Sequence, residues 1–538
     1  MAAVDLGGKP MTNIEPVRRI RPGGEGLAGE TARQKILTLD QLARYAEAAR
    51  KAGQRVVLAH GTFDLLHMGH VRHLEQARAL GDVLIVTLTA DRFVNKGPGR
   101  PVFTGTLRAE MVAALTYVER VAVNDDATAE NVINLIKPDV YVKGSDYADD
   151  ENDVTGKIRD ERDAVEAHGG TIHFTYDITF SSSSLLNRHF DVFEPTLRTY
   201  LDAVREHRSL NDFVGIIDAI KDKSVLLIGD TIIDEYHYVS PLGKSPKENL
   251  IPTLYREAEM FAGGVVAAAN HVAGFCRDIH IITCLGDDPE AEQLIRSSLK
   301  SNVRMTVINR PAAPTTRKRR FVDADYLRKM FEVYFMDDTP LSGSLEEGLM
   351  AAIAKNAPDY DVVIATDFGH GMITGKVREE MAARSRFLAV NAQSNSANHG
   401  YNLITKYRRA DYVCIDAPEA RLAVGDPHVE IELIASDLIP SSINCSRLIL
   451  THGRHGCVTY DRKVGVRRIP AFTGRAIDTM GAGDAFLAVT SPMVAAGHDM
   501  EMIGFIGNAV GAIKVGIVGH RQSVEKVPLL KYLNTLLK

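Results

Sequence analysis

The chain has 538 residues, with 63 Lys and Arg against 69 Asp and Glu, for a formal net charge of −6. An apolar share of 45% and a charged share of 25% exclude a disordered or low-complexity chain and leave room for two or three globular domains. One basic run, Arg317-Lys318-Arg319-Arg320, falls short of the broad basic stripe of a nucleic-acid binder.

The five cysteines are scattered singly, with no CxxC pair, so neither a disulfide framework nor a zinc site is expected. No apolar run approaches the roughly 20 residues of a membrane span. No signal-peptide core stands at the start. A cytoplasmic protein with no nucleic-acid or membrane partner is expected.

Residues 1–30, rich in Gly, Pro and Arg, predict a tail without a packed core. Thr38 to Ala49 predicts a capped helix. From residue 31 to about 190, short apolar runs at 56–59, 83–86, 120–123, 140–142 and 171–176 alternate with helical patterns carrying Val71, Leu74 and Ala77, then 107–118 and 131–136. Strands apolar on both faces, alternating with helices, predict an α/β domain with a parallel sheet. Residues 191–221 predict an amphipathic helical linker or packing element. A second αβ pattern over 222–538 has strand runs at 225–228, 279–282, 362–364, 412–415 and 448–450, and predicts a larger α/β domain with a small lid.

The first strand runs into Gly61-Thr62-Phe63-Asp64-Leu65-Leu66-His67-Met68-Gly69-His70. His67 and His70 share one face at a helix start, where free N–H groups and the dipole favour phosphate. Two imidazoles there stabilise charge on a phosphate under attack. Alone, an HxxH pair is most often solvated surface. In this context it resembles the signature of HxGH cytidylyltransferase-like nucleotidyltransferases. Four further segments follow in order: Asn95-Lys96-Gly97 with Arg100-Pro101-Val102, Arg108 with Glu110, Lys143-Gly144-Ser145-Asp146-Tyr147, and Phe180 to Ser184. The resemblance implies a Rossmann-like fold, His67, His70 and Lys96 as catalytic residues, and nucleotide contacts from Gly61, Thr62, Phe63, Asp64, Arg108, Lys143, Asp146, Ser182 and Ser183.

In the second domain, Asp478-Thr479-Met480-Gly481-Ala482-Gly483-Asp484 stands at a loop-to-helix junction. Successive glycine N–H groups suit a transferring phosphate, and Asp484 suits proton abstraction from an attacking hydroxyl. The string resembles the second signature of ribokinase-like (PfkB) sugar kinases. That resemblance implies nucleotide contacts from Thr479, Gly481, Ala482, Gly483, Thr451, Gly453, Gly456 and Asn508. It places Asp234, Gly263, Gly264, Asn270, Lys318 and Arg320 at the sugar. The basic run otherwise reads as a charge-guarded edge strand. Asp416 and Glu419 stand where relatives have Asn and Glu near Mg²⁺, an exchange that adds charge beside ATP. Asn391 and the segment Asp367-Phe368-Gly369-His370-Gly371 also depart from the heptose-kinase pattern.

Together the halves resemble bifunctional heptose-phosphate kinase/heptose 1-phosphate adenylyltransferases, with the order of the two halves reversed. This implies ATP and Mg²⁺, a sugar phosphate as substrate, and a homodimer. Two alternatives stay open: a cytidylyltransferase using CTP fused to a kinase of different substrate, and an active nucleotidyltransferase with a non-catalytic kinase-like sensing module.

Overall fold

The computed structural model describes residues 31–94, 100–126, 128–144, 157–175, 193–473 and 476–538. The expected N-terminal tail lies outside them.

The first sheet has five parallel strands: β1 (Val56–Gly61), β2 (Val83–Thr89), β3 (Arg120–Asn124), β4 (Val140–Gly144) and β5 (Thr171–Thr175), in the order β3-β2-β1-β4-β5. Val57 and Ala59 enter the core on one face, and Val56 and Leu58 the core on the other. Burial on both sides explains why these strands read as unbroken apolar runs. α1 (Leu39–Lys51) begins at a Thr38/Gln41 capping box. It packs on one face with α4 (Glu130–Ile136) and α5 (Lys157–Glu166), while α2 (Met68–Arg78) and α3 (Gly105–Ala113) cover the other. α3 stops five residues before the expected 118. The strand order reverses between β1 and β4, which opens a crevice at their carboxyl ends.

The expected linker is two helices, α6 (Pro195–His207) and α7 (Leu210–Asp218). Leu197, Leu201, Phe213, Ile216 and Ile217 are buried in the core of the second domain. Each such side chain contributes ~1.5–3 kcal/mol of transfer free energy before entropy is counted. Arg205 donates to the Leu536 carbonyl at 2.7 Å, and Arg208 pairs with Asp499 at 3.1 Å. Of the two expected roles, packing is the one these contacts describe.

The second domain carries a nine-stranded sheet, parallel up to its last two pairings. It comprises β6 (Ser224–Gly229), β9 (Asp278–Gly286), β10 (Val303–Arg310), β13 (Val362–Asp367), β14 (Leu388–Ala392), β15 (Tyr412–Asp416), β16 (Arg447–Thr451), β17 (Cys457–Asp461) and β18 (Gly465–Ile469), in the order β10-β9-β6-β13-β14-β15-β16-β17-β18. A four-stranded lid holds β7 (Thr231–Pro241), β8 (Thr253–Gly264), β11 (Arg317–Asp323) and β12 (Lys329–Phe335), in the order β12-β11-β7-β8. The helices are α8 (Val265–Ala273), α9 (Pro289–Ser298), α10 (Gly343–Asn356), α11 (Gly375–Arg384), α12 (Ala417–Val424), α13 (Ala482–Ala495), α14 (Met500–Lys514) and α15 (Lys526–Leu537).

The basic run is not an edge. β11 is an inner strand with alternating burial, so Lys318 and Arg320 point inward. Arg317 and Arg319, on the other face, clamp Glu235 at 2.7 and 2.5 Å. All five cysteines are free thiols, four of them buried. No helix among the described residues is long and apolar enough to cross a membrane.

Candidate active sites

β1 ends in a tight turn. A Cβ at Gly61 would press on the Phe63 ring at 3.1 Å, and Phe63 itself holds a left-handed φ of 47°. That conformation costs an ordinary residue about 1–2 kcal/mol, so the fold spends energy on this loop. The turn delivers His67 to the N-cap of α2, where its Nδ1 accepts the Gly69 N–H at 3.1 Å. An accepting Nδ1 leaves the proton of a neutral ring on Nε2. His70 stacks on His67 with ring centroids 3.9 Å apart, and Phe63 flanks His70 at 5.3 Å. The expected histidine pair therefore meets at a helix N-terminus.

Lys143, at the carboxyl end of β4, lies 2.7 Å from Glu161 and over the Tyr141 ring at 5.2 Å. His73, on α2, shares a 2.7 Å hydrogen bond with Thr175. Burial, then the Lys143 charge, pushes its ring down to about 4.

Two expected nucleotide contacts have different surroundings. Arg108 is fully buried. Its guanidinium donates to the carbonyls of Phe103 (3.0 Å), Thr62 and Thr89 (2.8 Å) and to the Asp91 carboxylate at 2.5 Å. It is a strut tying the loops after β1 and β2 to α3, with its donors spent inside the protein. Asp64 is buried as well, and its Oδ1 accepts the Val102 and Phe103 N–H groups at 2.6 and 3.3 Å. Lys96, Asp146, Ser182 and Ser183 lie outside the described residues.

The second site forms where β7 of the lid faces the start of α13. Gly481, the N-cap of α13, has φ +70°, and a Cβ there would stand 2.5 Å from His520 Cε1. Only glycine fits both constraints. A Cβ at Gly483 meets open space. Asp484 is buried in the first turn of α13. Burial, opposed by His520, Lys514 and Lys318 and assisted by Asp234, pushes its carboxyl up to about 6. A carboxylate so placed is ionised at neutral pH yet basic enough to take a proton.

Asp234 opposes burial with two partners. His520 Nε2 lies 3.3 Å from its Oδ2, and Arg320 pairs with its Oδ1. Together they hold its carboxyl well below the usual range. Gly263 makes this approach possible, because a Cβ there would stand 2.2 Å from Asp234 Oδ2. Gly264 holds a φ of +60° against the Asp230 carbonyl. Arg320 also reaches Glu332 at 3.1 Å, while Lys318 lies beside Tyr334.

Asn270 lines a cavity beside His520. Its amide joins α8 to the end of α9, donating to the Ser298 carbonyl at 2.9 Å and accepting the Lys300 N–H at 3.1 Å.

His520 and Lys514 escaped the sequence reading. Lys514, fully buried at the end of α14, donates to the carbonyls of Met480 and Gly519, both at 2.7 Å. Asp478 accepts from Tyr236 (2.8 Å), Lys329 (2.8 Å) and the Gly519 N–H (2.9 Å). These bonds clamp the glycine turn. The signal in sequence is Lys514 itself, one cation closing an otherwise apolar helix.

Thr451, Gly453 and Gly456 form a closed turn after β16, with the His452 N–H bonded to the Gly456 carbonyl at 2.7 Å. A Cβ at Gly456 would lie 2.0 Å from the Ile469 carbonyl. Asn508 ties α14 to the same edge, donating to the Ile469 and Pro470 carbonyls at 3.2 and 2.9 Å.

Asp416 and Glu419 are a reciprocal capping box on α12, with bonds of 2.7 and 3.0 Å. Asp and Asn cap equally well, so the exchange of Asn for Asp leaves the local fold intact. Burial and the facing Asp416 charge push Glu419 up to about 8, and burial raises Asp416 too. Two crowded carboxylates are a hard-oxygen set that a nearby cation relieves. Their lone pairs already serve backbone N–H groups, and no cluster of three metal-ligating side chains occurs among the described residues. The set therefore fits Mg²⁺ held through water, not direct coordination.

Residues 222–527 match the model of the pfkB family carbohydrate kinases. The chain belongs to that family. Residues 58–189 match the cytidylyltransferase-like model, so the first sheet is a Rossmann-like nucleotidyltransferase fold and the second a ribokinase-like one. The bifunctional protein HldE of Nitrobacter hamburgensis is 29% identical over 316 residues, which are 57% of this chain and 63% of that protein. HldE of Pseudomonas entomophila is 43% identical over 145 residues, 27% of this chain and 29% of that protein. The chain thus covers less than two thirds of the length of these relatives. Ribokinase of Thermotoga maritima superimposes with a TM-score of 0.47 at 20% identity, over 58% of this chain and 99% of its own.

Proposed function

We propose that the chain is a two-headed transferase of nucleotide-sugar synthesis. Residues 31–190 form the nucleotidyltransferase head, and residues 222–538, with α6 and α7 packed on them, form the kinase head.

In the kinase head, Asp484 takes the proton of the acceptor's anomeric hydroxyl as that oxygen attacks the γ-phosphorus of ATP. The phosphoryl group passes to the sugar and ADP leaves. The turn at Thr479, Gly481, Ala482 and Gly483 presents N–H groups to the phosphates. Thr451, Gly453, Gly456 and Asn508 frame the nucleotide. Asp416 and Glu419 would hold Mg²⁺ through water, where the cation would offset charge on the phosphates. In the other head, a sugar 1-phosphate oxygen attacks the α-phosphorus of ATP and pyrophosphate leaves. His67 Nε2–H and His70, at the start of α2, stabilise the charge on that phosphate. Lys96, Lys143, Asp146, Ser182 and Ser183 supply further phosphate contacts.

The observation that carries this reading is the buried Asp484 beside the left-handed Gly481 at a helix N-terminus. The motif resemblance to heptose-phosphate kinase/adenylyltransferases favours heptose 7-phosphate as acceptor and an ADP-heptose as final product, and the similar chains are named bifunctional proteins. A phosphatase elsewhere must act between the two steps. The outward lid residues Tyr255, Phe331 and Phe335 are exposed, which favours a homodimer; sedimentation at the mass of one chain would remove that part. The test of function is Asp484→Asn: phosphoryl transfer is lost while pyrophosphate release from sugar 1-phosphate persists. Undiminished transfer would leave the kinase-like half as a non-catalytic module.

A further inference from the structure

The strand order of the larger sheet reverses at β6, with β9 on one side and β13 on the other. The loops after β6 and β13 therefore flank its crevice. His370 stands in the loop after β13. Its backbone is fixed: the Phe368 and His370 N–H groups both approach Asp230 Oδ2, at 3.2 and 3.5 Å. Gly369 and Gly371 hold φ of +70° and +87°, and a Cβ on either would meet Asn398 at 2.2 Å or the Thr339 carbonyl at 2.4 Å.

The His370 ring is only 4% exposed, yet neither Nδ1 nor Nε2 has a hydrogen-bond partner. A buried imidazole with both nitrogens unmet is rare, because each lost bond to water goes uncompensated. The charge that acts on it is the Lys318 ammonium of β11. Lys318 is itself 5% exposed and forms no hydrogen bond or ion pair among the described residues; the Tyr334 ring is 5.1 Å away. Arg320, two residues on, is committed to Asp234 and Glu332. One crevice thus holds two buried donors without an acceptor. Burial and Lys318 push the His370 ring down to about 3, so the ring is neutral and carries one N–H donor.

We propose that His370 and Lys318 together seat a phosphate monoester already carried by the acceptor sugar, which makes His370 a specificity-determining residue of the kinase head. The proposal rests on the sugar-kinase reading and narrows it to phosphorylated acceptors. A phosphate oxygen between the two residues accepts from Lys318 Nζ and from an imidazole N–H, satisfying both.

The test uses the full chain and its His370→Leu, His370→Gln and Lys318→Met variants. Heptose 7-phosphate and the unphosphorylated heptose are each titrated calorimetrically without ATP, then used as kinase acceptors. Wild type prefers the phosphorylated sugar. His370→Leu and Lys318→Met each raise its Kd and KM about tenfold or more, and His370→Leu does so with kcat little changed and no effect on the unphosphorylated sugar. His370→Gln, which restores a donor near Nε2, recovers most of the loss. Three results would overturn the seat: no preference in wild type, equal losses for both sugars in His370→Leu, or unchanged binding of the 7-phosphate in Lys318→Met should His370→Leu fail to fold. If no sugar is phosphorylated but the variants still lose the binding preference, the sugar-kinase reading fails and the seat stands.

Discussion

His520 Nε2 stands 3.3 Å from Asp234 Oδ2, and Gly481 is the residue that lets it stand there. The pair joins the lid to the phosphate-binding turn, so the two walls of the kinase site are set by one contact. Gly481→Ala places a methyl 2.5 Å from the His520 ring at a φ of +70°. The expected result is a loss of kinase kcat/KM of about tenfold or more and a stability loss of about 1–2 kcal/mol, from strain and the displaced ring. Thermal melts and kinase assays check both, and pyrophosphate release from the first head is the internal control.

Asp484 couples activity to stability through pH. Its carboxyl is pushed up to about 6 in the folded chain. A general base must be ionised, so kinase kcat/KM falls tenfold per pH unit below about 6 and is level above it. The folded chain binds this proton more tightly than the unfolded one. Stability therefore declines as pH rises from about 4 to 6 and keeps that cost above it. Asp484→Asn removes the cost: the melting point rises at pH 8, by a free energy on the order of 2 kcal/mol, and the gain vanishes near pH 4. Phosphoryl transfer drops by about 10²–10⁴ at every pH.

His67 has two separable roles. Its Nδ1 caps α2 through the Gly69 N–H, and its Nε2–H is the donor assigned to the phosphate under attack. His67→Asn keeps a capping oxygen, so pyrophosphate release falls by about 10² or more while the melting point holds. His67→Ala loses the same activity and about 1 kcal/mol of stability as well. Equal activity in wild type and His67→Asn would limit the ring to capping.

Arg108 is expected to behave as a strut. Arg108→Met leaves the Thr62, Thr89 and Phe103 carbonyls and Asp91 without their donor. The first domain then loses about 2–4 kcal/mol, read as an earlier melting transition. KM for the nucleotide in the surviving folded fraction stays close to wild type. A large KM increase at unchanged stability would return Arg108 to the nucleotide.

Asp416→Asn removes a charge facing Glu419 while keeping the cap on α12. The melting point is expected to hold or rise, and KM for ATP to fall. A loss of kinase activity would show that the extra carboxylate is required near the phosphates.

Much of this was legible in sequence. Strands such as 225–228 are buried on both faces, so they read as unbroken apolar runs, and the segments that follow them carry His67, His70, Asp230 and Asp234. A small lid was expected, but its strands were not legible. β8 reads Thr-Leu-Tyr-Arg-Glu-Ala-Glu-Met and is exposed along most of its length, so ladder hydrogen bonds to β7 hold it and apolar spacing does not mark it. The motif strings stand in the sequence, but the partners of their residues were not foreseen. Arg108 is drawn inward by carbonyls brought from three loops. Asn270 bonds to the end of α9 through Ser298 and Lys300. His520 reaches Asp234 across 286 positions, which no local pattern records.

The measurement closest to the central claim is a mass-spectrometric product scan of wild type, His67→Ala and Asp484→Asn. Each is given Mg²⁺ with ATP, CTP, GTP or UTP, and either heptose 7-phosphate or heptose 1-phosphate. Two independent heads predict a bisphosphate from the 7-phosphate, lost only in Asp484→Asn, and an ADP-sugar from the 1-phosphate, lost only in His67→Ala. A folded single variant that loses both products, or a wild type that makes neither bisphosphate nor nucleotide sugar, would contradict the account.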